Sequence, residues 1–357
     1  MKALILCGGE STRMRPLSYS QPKHLIPIAN VPVLDRILAG ILAVGITEIS
    51  VVVSPSTQAR FDGFLANRKS DGQRIQTVVQ HTPRGLADAV RCGRDFLGNE
   101  DFLLYLGDNL LQESLDNLIV AFKQAPCSAA LSLIEVDDPR RFGVADIGDG
   151  RIVRLVEKPA NPPSQYALAG IYIFSSRIFE GIENIGPSKR GELEITDAIQ
   201  WLIEQGDSVI PHYLTGWWKD VGQPDDMIEA NALLLQDLEG TLSGHVDDQS
   251  SLQGVVFVEQ GANVVRSTIQ GPAMIGAGTE IVDSIIEPNV SIGPSCRIEH
   301  CRISGSIVLE GASLESLRME HSLIGSGCQV VGDSSERIQR LTLGDFSRIN
   351  AGGTSRS

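Results

Sequence analysis

The sequence predicts an α/β protein in which a mixed sheet flanked by helices is followed by a parallel β-helix. Three observations predict it. A short uninterrupted apolar run at residues 3–7, followed by strand-like apolar stretches at 49–53 and 101–109, suits strands buried on both faces of a parallel sheet. From residue 129 the apolar stretches are separated by tight turns such as Asp149-Gly150, which suits antiparallel pairing. Beyond residue 252 an aliphatic side chain recurs about every sixth position, the rhythm of stacked coils.

Taken in order, the strand at 3–7 runs into Gly8-Gly9-Glu10-Ser11-Thr12-Arg13-Met14-Arg15-Pro16, and Lys23 follows a second proline. Two glycines let the backbone approach a ligand and turn its N–H groups towards an anion. The loop matches neither a P-loop nor a dinucleotide fingerprint, and Pro16 and Pro22 oppose a helix directly behind the glycines. A solvated basic turn accounts for the same residues, so this stretch alone leaves both readings open.

Leu34, Ile37, Leu38, Ile41 and Leu42 sit at helical spacing and Gly45 closes that run, giving a β-α-β unit and hence a right-handed crossover. A strand at 75–80 then turns at Gly85 into a helix at 86–90. The run at 101–109 ends on Asp108 and Asn109. In open α/β sheets ligands bind beyond the carboxyl ends of the strands, so Gly8 to Arg13, Gln80 to Gly85 and Asp108 with Asn109 are expected on one rim.

Strands follow at 129–136, 144–147, 152–157 and 167–174, a helix at 194–204, a strand at 208–213 and a helix at 224–238. Glu157-Lys158-Pro159 closes one strand, where a carboxylate would suit sugar hydroxyls and an ammonium a phosphate. The same tripeptide also suits a surface turn. Asp108 and Asp220 each end an apolar or aromatic strand. One or two carboxylates suffice for a Mg²⁺ ion whose shell is completed by phosphates and water, although a cap or turn role fits each aspartate alone.

Residues 1–238 are expected to form a catalytic domain, 239–252 a linker, 253–345 the β-helix and 346–357 a flexible tail. Ile269, Ile275, Ile281, Ile286, Ile292, Ile298, Ile303, Val308, Leu314, Ile324 and Val330 are expected to stack in one column.

Composition narrows the function. The chain has 357 residues, with 30 Lys and Arg against 44 Asp and Glu, a formal net charge of −14. That balance disfavours nucleic acid and anionic membrane, so phosphate chemistry must rely on local cations. Six cysteines without a CxxC pair suit buried thiols in a reducing compartment. With no signal-peptide or membrane-span pattern, the expectation is a soluble cytoplasmic protein.

Gly8-Gly9-x-x-Thr12-Arg13-x-x-Pro16 with Lys23, Gln80 to Gly85-Leu86-Ala87, Leu106-Gly-Asp108-Asn109, Phe142-Gly143-Val, Glu157-Lys158-Pro, Gly191-Glu-Leu-Glu194-Ile-Thr-Asp197 and Trp218-x-Asp220-x-Gly222 occur in this order. In that order the chain resembles the sugar-1-phosphate nucleotidylyltransferases, most of all the long two-domain form of glucose-1-phosphate thymidylyltransferase. The resemblance implies a Rossmann-like sheet of the nucleotide-diphospho-sugar transferase type with a left-handed β-helix. It further implies transfer of a nucleotide from dTTP to glucose 1-phosphate, with Mg²⁺ on Asp108 and Asp220.

By that resemblance Arg13, Lys23, Asp108, Lys158 and Asp220 are the catalytic set. Gly8, Gly9, Thr12, Arg13, Gln80, Gly85 and Asp108 would hold the nucleotide. Asn109, Gly143, Glu157, Lys158 and Glu194 would hold the sugar phosphate. Two positions depart from the pattern: Ser11 stands where a third glycine is usual, and Asp88 where a neutral or basic residue is usual. They leave room for ATP, GTP, UTP or CTP, or for a cyclitol phosphate. A non-catalytic nucleotide-sugar sensor and a β-helix acyltransferase using His300 or His321 are the competing readings. The flat faces and open end coil of a β-helix call for protection, so a homo-oligomer is expected.

Overall fold

The computed structural model describes residues 1–66, 68, 72–333 and 337–351 and divides into two compact units. The first comprises Met1–Glu10 and Leu34–Lys219, and the second Ser11–Val33 and Asp220–Ser357. The loop behind the first strand therefore does not belong to the unit that contains that strand. Among the described residues no helix is long and apolar enough to cross a membrane.

The first unit is built on a nine-stranded mixed sheet. Along its main path the strands run Arg151–Glu157, Gly143–Gly148, Tyr166–Phe174, Phe102–Leu106, Lys2–Leu6, Glu48–Val53 and Arg74–Val79. Lys2–Leu6 pairs in parallel with both Glu48–Val53 and Phe102–Leu106, with Ala3 opposite Ile49 and opposite Leu103. Arg74–Val79 joins Glu48–Val53 in the same sense. These four strands are parallel, and the three inner ones, Lys2–Leu6, Glu48–Val53 and Phe102–Leu106, are largely apolar and buried, as strands covered on both faces are, whereas Arg74–Val79 at the edge is more polar.

Val33–Ala43 supplies the expected crossover helix. From Ala129–Glu135 onward Tyr166–Phe174 pairs antiparallel with its neighbours, so the sheet changes sense where the turns become tight. The run expected as one strand to Asn109 is broken. The strand ends at Leu106, the last link to its neighbour is Gly107 N–H to Leu6 O (2.9 Å), and Asn109–Leu111 forms a separate strand.

In the second unit the coils form three parallel sheets, two of seven strands and one of five, consistent with a left-handed β-helix. The aliphatic residues stack in three columns, not one. Ile275, Ile292, Val308 and Ile324 are in register on one face, Ile281, Ile298, Leu314 and Val330 on the next, and Ile269, Ile286, Ile303 and Met319 on the third. A hexad repeat advances by one triangular face per hexad, so residues of one face recur only after three hexads. All of these side chains are buried in a single cluster. Pairing begins at Thr241–Leu242 and His245–Val246, ahead of residue 253, and Arg348–Asn350 pairs with Gln329–Val331. Of the expected tail, residues 352–357 lie outside the described residues.

Residues 11–33 are seated on this β-helix. Pro27–Ile28 and Val31–Pro32 form a hairpin whose two turn residues, Ala29 and Asn30, both have positive φ, the geometry that matches strand twist in a two-residue turn. Asn231, on the helix Pro224–Gln236, is fully buried and accepts from Ala29 N (2.9 Å) and Ser291 Oγ (2.8 Å) through its Oδ1. Its Nδ2 donates to Asn289 O at 3.1 Å, and Asn30 Nδ2 donates to Ile292 O at 2.9 Å. One amide thus ties the hairpin, the helix and a coil together.

Replacing Ile298 by Ala leaves a cavity between Ile281 and Leu314 in a column with no room to collapse. We expect a loss of about 2–5 kcal/mol, measured by denaturant unfolding of the full chain.

Candidate active site

In the first unit, the rim expected from the strand order carries Gly8 and Gln80. A Cβ on Gly8 would stand 3.1 Å from Gln80 Oε1, so glycine keeps this oxygen approachable. Gln80 Nε2 donates to Gly85 O (3.3 Å) and to Asp88 Oδ2 (2.9 Å), and Arg91 holds the other Asp88 oxygen. Gln80 and Asp88 are both buried.

Gly85 has φ 112°, and a Cβ there would lie 2.5 Å from Leu193 O, so no other residue fits. Leu193 N donates to Arg84 O (2.7 Å) and Ala87 N to Leu193 O (3.0 Å). The turn after Gln80 is thereby stitched to the segment that carries Glu194.

Glu194 is almost fully buried and accepts from Ser188 Oγ (3.0 Å) and Arg190 Nη1 (3.2 Å). Arg190 Nη1 also reaches Glu157 Oε1 at 3.3 Å, Lys158 Nζ lies 3.7 Å from that oxygen, and Thr196 Oγ1 donates to Glu157 Oε2 at 3.2 Å. Gly143 faces Glu157 in the ladder, and a Cβ there would collide with Leu168 and Thr196 side chains, each at 2.8 Å. Glu157, Glu194, Asp197 and Arg190 border a cavity of about 400 Å³. Burial raises the Glu194 and Asp197 carboxyls above their ordinary range.

Asn109 is buried and donates from Nδ2 to Asp108 Oδ1 at 3.1 Å, while its Oδ1 has no hydrogen-bond partner among the described residues. Its nitrogen fits only because Gly170, at φ 79° in a bulge of Tyr166–Phe174, has no Cβ, which would otherwise stand 2.7 Å away. Trp218 Nε1 donates to Ala169 O (2.9 Å) beside that bulge, and its ring meets Phe142 edge-on at 5.4 Å.

In the second unit, Ser11 adopts φ 51° and ψ 36°, so the residue that departs from the glycine pattern takes the left-handed conformation all the same. Thr12–Met14 follows as a single turn with Arg13 exposed and Met14 buried. Lys23 is buried and its Nζ donates to Val221 O at 3.4 Å. A Cβ on Gly222 would come within 3.4 Å of Arg13 Nη2. Both cations therefore converge on the segment directly after Asp220. Asp226 secures it by accepting from Gly222 N (3.1 Å) and Gln223 N (3.0 Å) at the start of the helix.

Of the expected residues, the first unit thus brings Gly8 to Gln80 and Gly85, and Gly143 to Glu157, Lys158 and Glu194. Asn109 lies against Asp108, and Gly9 is exposed next to Gly8 on the loop after the first strand. Arg13, Thr12, Lys23 and Asp220 belong to the second unit. Sequence reasoning missed Arg190, Gly170 and Asn231. Arg190 had a signal, as a cation immediately before the Gly191–Asp197 motif. Among the described residues no group of three or more His, Cys, Asp and Glu side chains forms a metal cluster. Asp108 and Asp220 offer carboxylate oxygens, the donor type Mg²⁺ prefers when phosphates and water complete its shell.

Residues 2–237 match the family model described as nucleotidyl transferase. The chain belongs to this family. The transferase is 43% identical over 351 residues to a glucose-1-phosphate thymidylyltransferase of Streptomyces griseus, covering 98% of this chain and 99% of that one. It is 41% identical over 355 residues to the low-salt glycan biosynthesis nucleotidyltransferase Agl11 of Haloferax volcanii, with the same coverage. A solved structure of a putative glucose-1-phosphate thymidylyltransferase from Bacillus anthracis superposes with a TM-score of 0.62 at 33% identity, covering 68% of the transferase and 98% of that chain. The transferase is thus an enzyme of nucleotidyl transfer, in a family of sugar nucleotidyltransferases that generally depend on a divalent metal.

Two outcomes follow for the transferase. Ser11→Gly removes a left-handed conformation that costs a side chain about 1–2 kcal/mol, so thermal or denaturant unfolding should show a more stable protein. Glu194 has a folded-state pKa above its unfolded value, so the native state binds its proton more tightly. The resulting stability cost sets in as pH rises through the unfolded value and is complete above the folded one. Glu194→Gln should therefore raise the melting temperature at neutral pH and leave it less changed at pH 4.

Proposed function

We propose that the enzyme joins dTTP to glucose 1-phosphate, giving dTDP-glucose and pyrophosphate. The observation that carries this reading is the cluster around Glu157. Arg190 bridges two carboxylates, Glu157 and Glu194, that line one cavity with it, and Lys158 approaches Glu157 from the adjoining position. Carboxylates accept hydrogen bonds from sugar hydroxyls and the cations neutralise a phosphate, so the cluster suits a phosphorylated sugar. The full-length similarity to thymidylyltransferases supports dTTP as its partner.

In the reaction a sugar-phosphate oxygen attacks the α-phosphorus as the bond to pyrophosphate breaks on the opposite side. The electron pair of that bond leaves with pyrophosphate. The attacking phosphate is already ionised, so no general base is needed and the rate comes from positioning and charge neutralisation. Arg13 neutralises the departing pyrophosphate, Lys23 aligns the phosphates and Lys158 grips the sugar phosphate. Gly8, Gly9 and Thr12 cradle the phosphates, Gln80 and Gly85 meet the base, and Asn109, Gly143, Glu157 and Glu194 meet the sugar. Asp108 and Asp220 would hold Mg²⁺, whose charge offsets that of the phosphates. Residues 1–238 would serve catalysis in this scheme, and the β-helix would support them and pair subunits of a cytoplasmic homo-oligomer.

Pyrophosphate release from a panel of nucleoside triphosphates crossed with sugar 1-phosphates tests the substrates. We expect dTTP with glucose 1-phosphate to give the highest kcat/KM, and a sensor to release none. Arg13→Ala or Asp108→Ala should lower kcat about 10²–10³-fold with an unchanged circular dichroism spectrum. Wild-type turnover in either variant would remove that residue from the catalytic set.

A further inference from the structure

We propose that Asp88 is a positioning residue that locks the Gln80 amide with its oxygen outward, and so selects nucleobases that present a ring N–H. The inference rests on the reading above that Gln80 meets the base. A glutamine amide ordinarily offers either a donor or an acceptor, because it can rotate by half a turn. Here it cannot. Nε2 has two hydrogens, one directed at Gly85 O (3.3 Å) and the other at Asp88 Oδ2 (2.9 Å). Both partners are acceptors only, since the Asp88 carboxylate is paired through its other oxygen with Arg91. Rotating the amide would press Oε1 against a carbonyl and a carboxylate in a buried place, losing two hydrogen bonds and setting its lone pairs against those of two acceptor oxygens.

The oxygen left outward is the one beside Gly8, where the missing Cβ keeps its approach open. Position 80 is therefore an acceptor and nothing else. Thymine and uracil carry a hydrogen on N3 and guanine on N1, and each can donate to Oε1. Cytosine N3 and adenine N1 are themselves acceptors, so the same pose leaves two lone pairs facing each other. A site built around a buried polar group rejects the ligand that cannot pair with it far more strongly than a site that merely loses a contact. Glutamine alone would not supply this discrimination, because a free amide could rotate to greet cytosine.

The test compares kcat/KM for dTTP and for 5-methyl-dCTP, which differ only at the 4-substituent and the ring-nitrogen hydrogen, in the wild-type enzyme and in Asp88→Asn. Asparagine keeps the shape but can offer a donor, which frees the Gln80 amide to rotate. We expect the wild type to favour dTTP and Asp88→Asn to reduce the ratio at least tenfold, mainly through KM for the nucleotide. A purely structural role for Asp88 would scale both substrates alike. In the wild type, N3-methyl-dTTP should lose at least tenfold against dTTP.

An unchanged ratio in folded Asp88→Asn overturns the inference and leaves the nucleotidyl transfer standing. So does a wild type that prefers 5-methyl-dCTP or uses N3-methyl-dTTP as well as dTTP. A wild type that releases no pyrophosphate with any triphosphate overturns the proposed function and the inference with it. If Asp88→Asn does not fold, Asp88→Ser is read by the same ratio.

Discussion

The contact between Gly85 and Leu193 is the constraint on which the arrangement of the first unit depends. Two backbone hydrogen bonds hold the segments at a separation that leaves no space for a Cβ, so the approach is set by main chain alone. On one side Gly85 O anchors the Gln80 amide. On the other, Leu193 places Glu194 one residue along, where it shares Arg190 with Glu157. A single close approach between two loops therefore spaces the Gln80 amide from the Glu194 carboxylate. Side chains could not fix that spacing as firmly, because each adds rotatable bonds.

Charge explains why the cations are so few and so specifically placed. In a chain with a formal charge of −14, an anionic substrate is repelled at long range and attracted only where cations are gathered. The structure gathers them in two ways. Lys23 is buried against a backbone carbonyl and fixed in place, whereas Arg13 is exposed and packed over a glycine. Lys158 and Arg190 are tempered by Glu157 and Glu194, so the pair presents less net charge than its two cations suggest.

Much of this was legible in the sequence, for definite reasons. The buried strands read as apolar runs, and the aliphatic hexads read as coils because every coil repeats the same requirement to fill its centre. The single expected column became three because a sequence period says how often a side chain points inward, not towards which face. Glu157, Glu194 and Gly143 stood in recognisable motifs, and the structure clusters them. Arg190 is marked in the sequence only by its place before the Gly191–Asp197 motif, and its pairing with two carboxylates depends on the fold of Ser188–Glu192. Gly170 lies inside an apolar strand and signals its bulge only through the residue it admits, Asn109. Asn231 sits in a helix whose apolar spacing gives no reason to single it out. The affiliation of residues 11–33 with the β-helix depends on contacts with segments some 200 to 330 positions later in the chain.

That affiliation limits how freely the coils can be exchanged for another module. The hairpin behind Lys23 leans on a hydroxyl at Ser291 and on carbonyls at Asn289 and Ile292 through Asn231 and Asn30. A foreign C-terminal part grafted after the helix would have to present the same three oxygens at the same places, or leave the buried amide of Asn231 unanswered. Fusion partners chosen for sequence similarity alone would be poor substitutes, whereas a solenoid of different sequence with those oxygens preserved would serve.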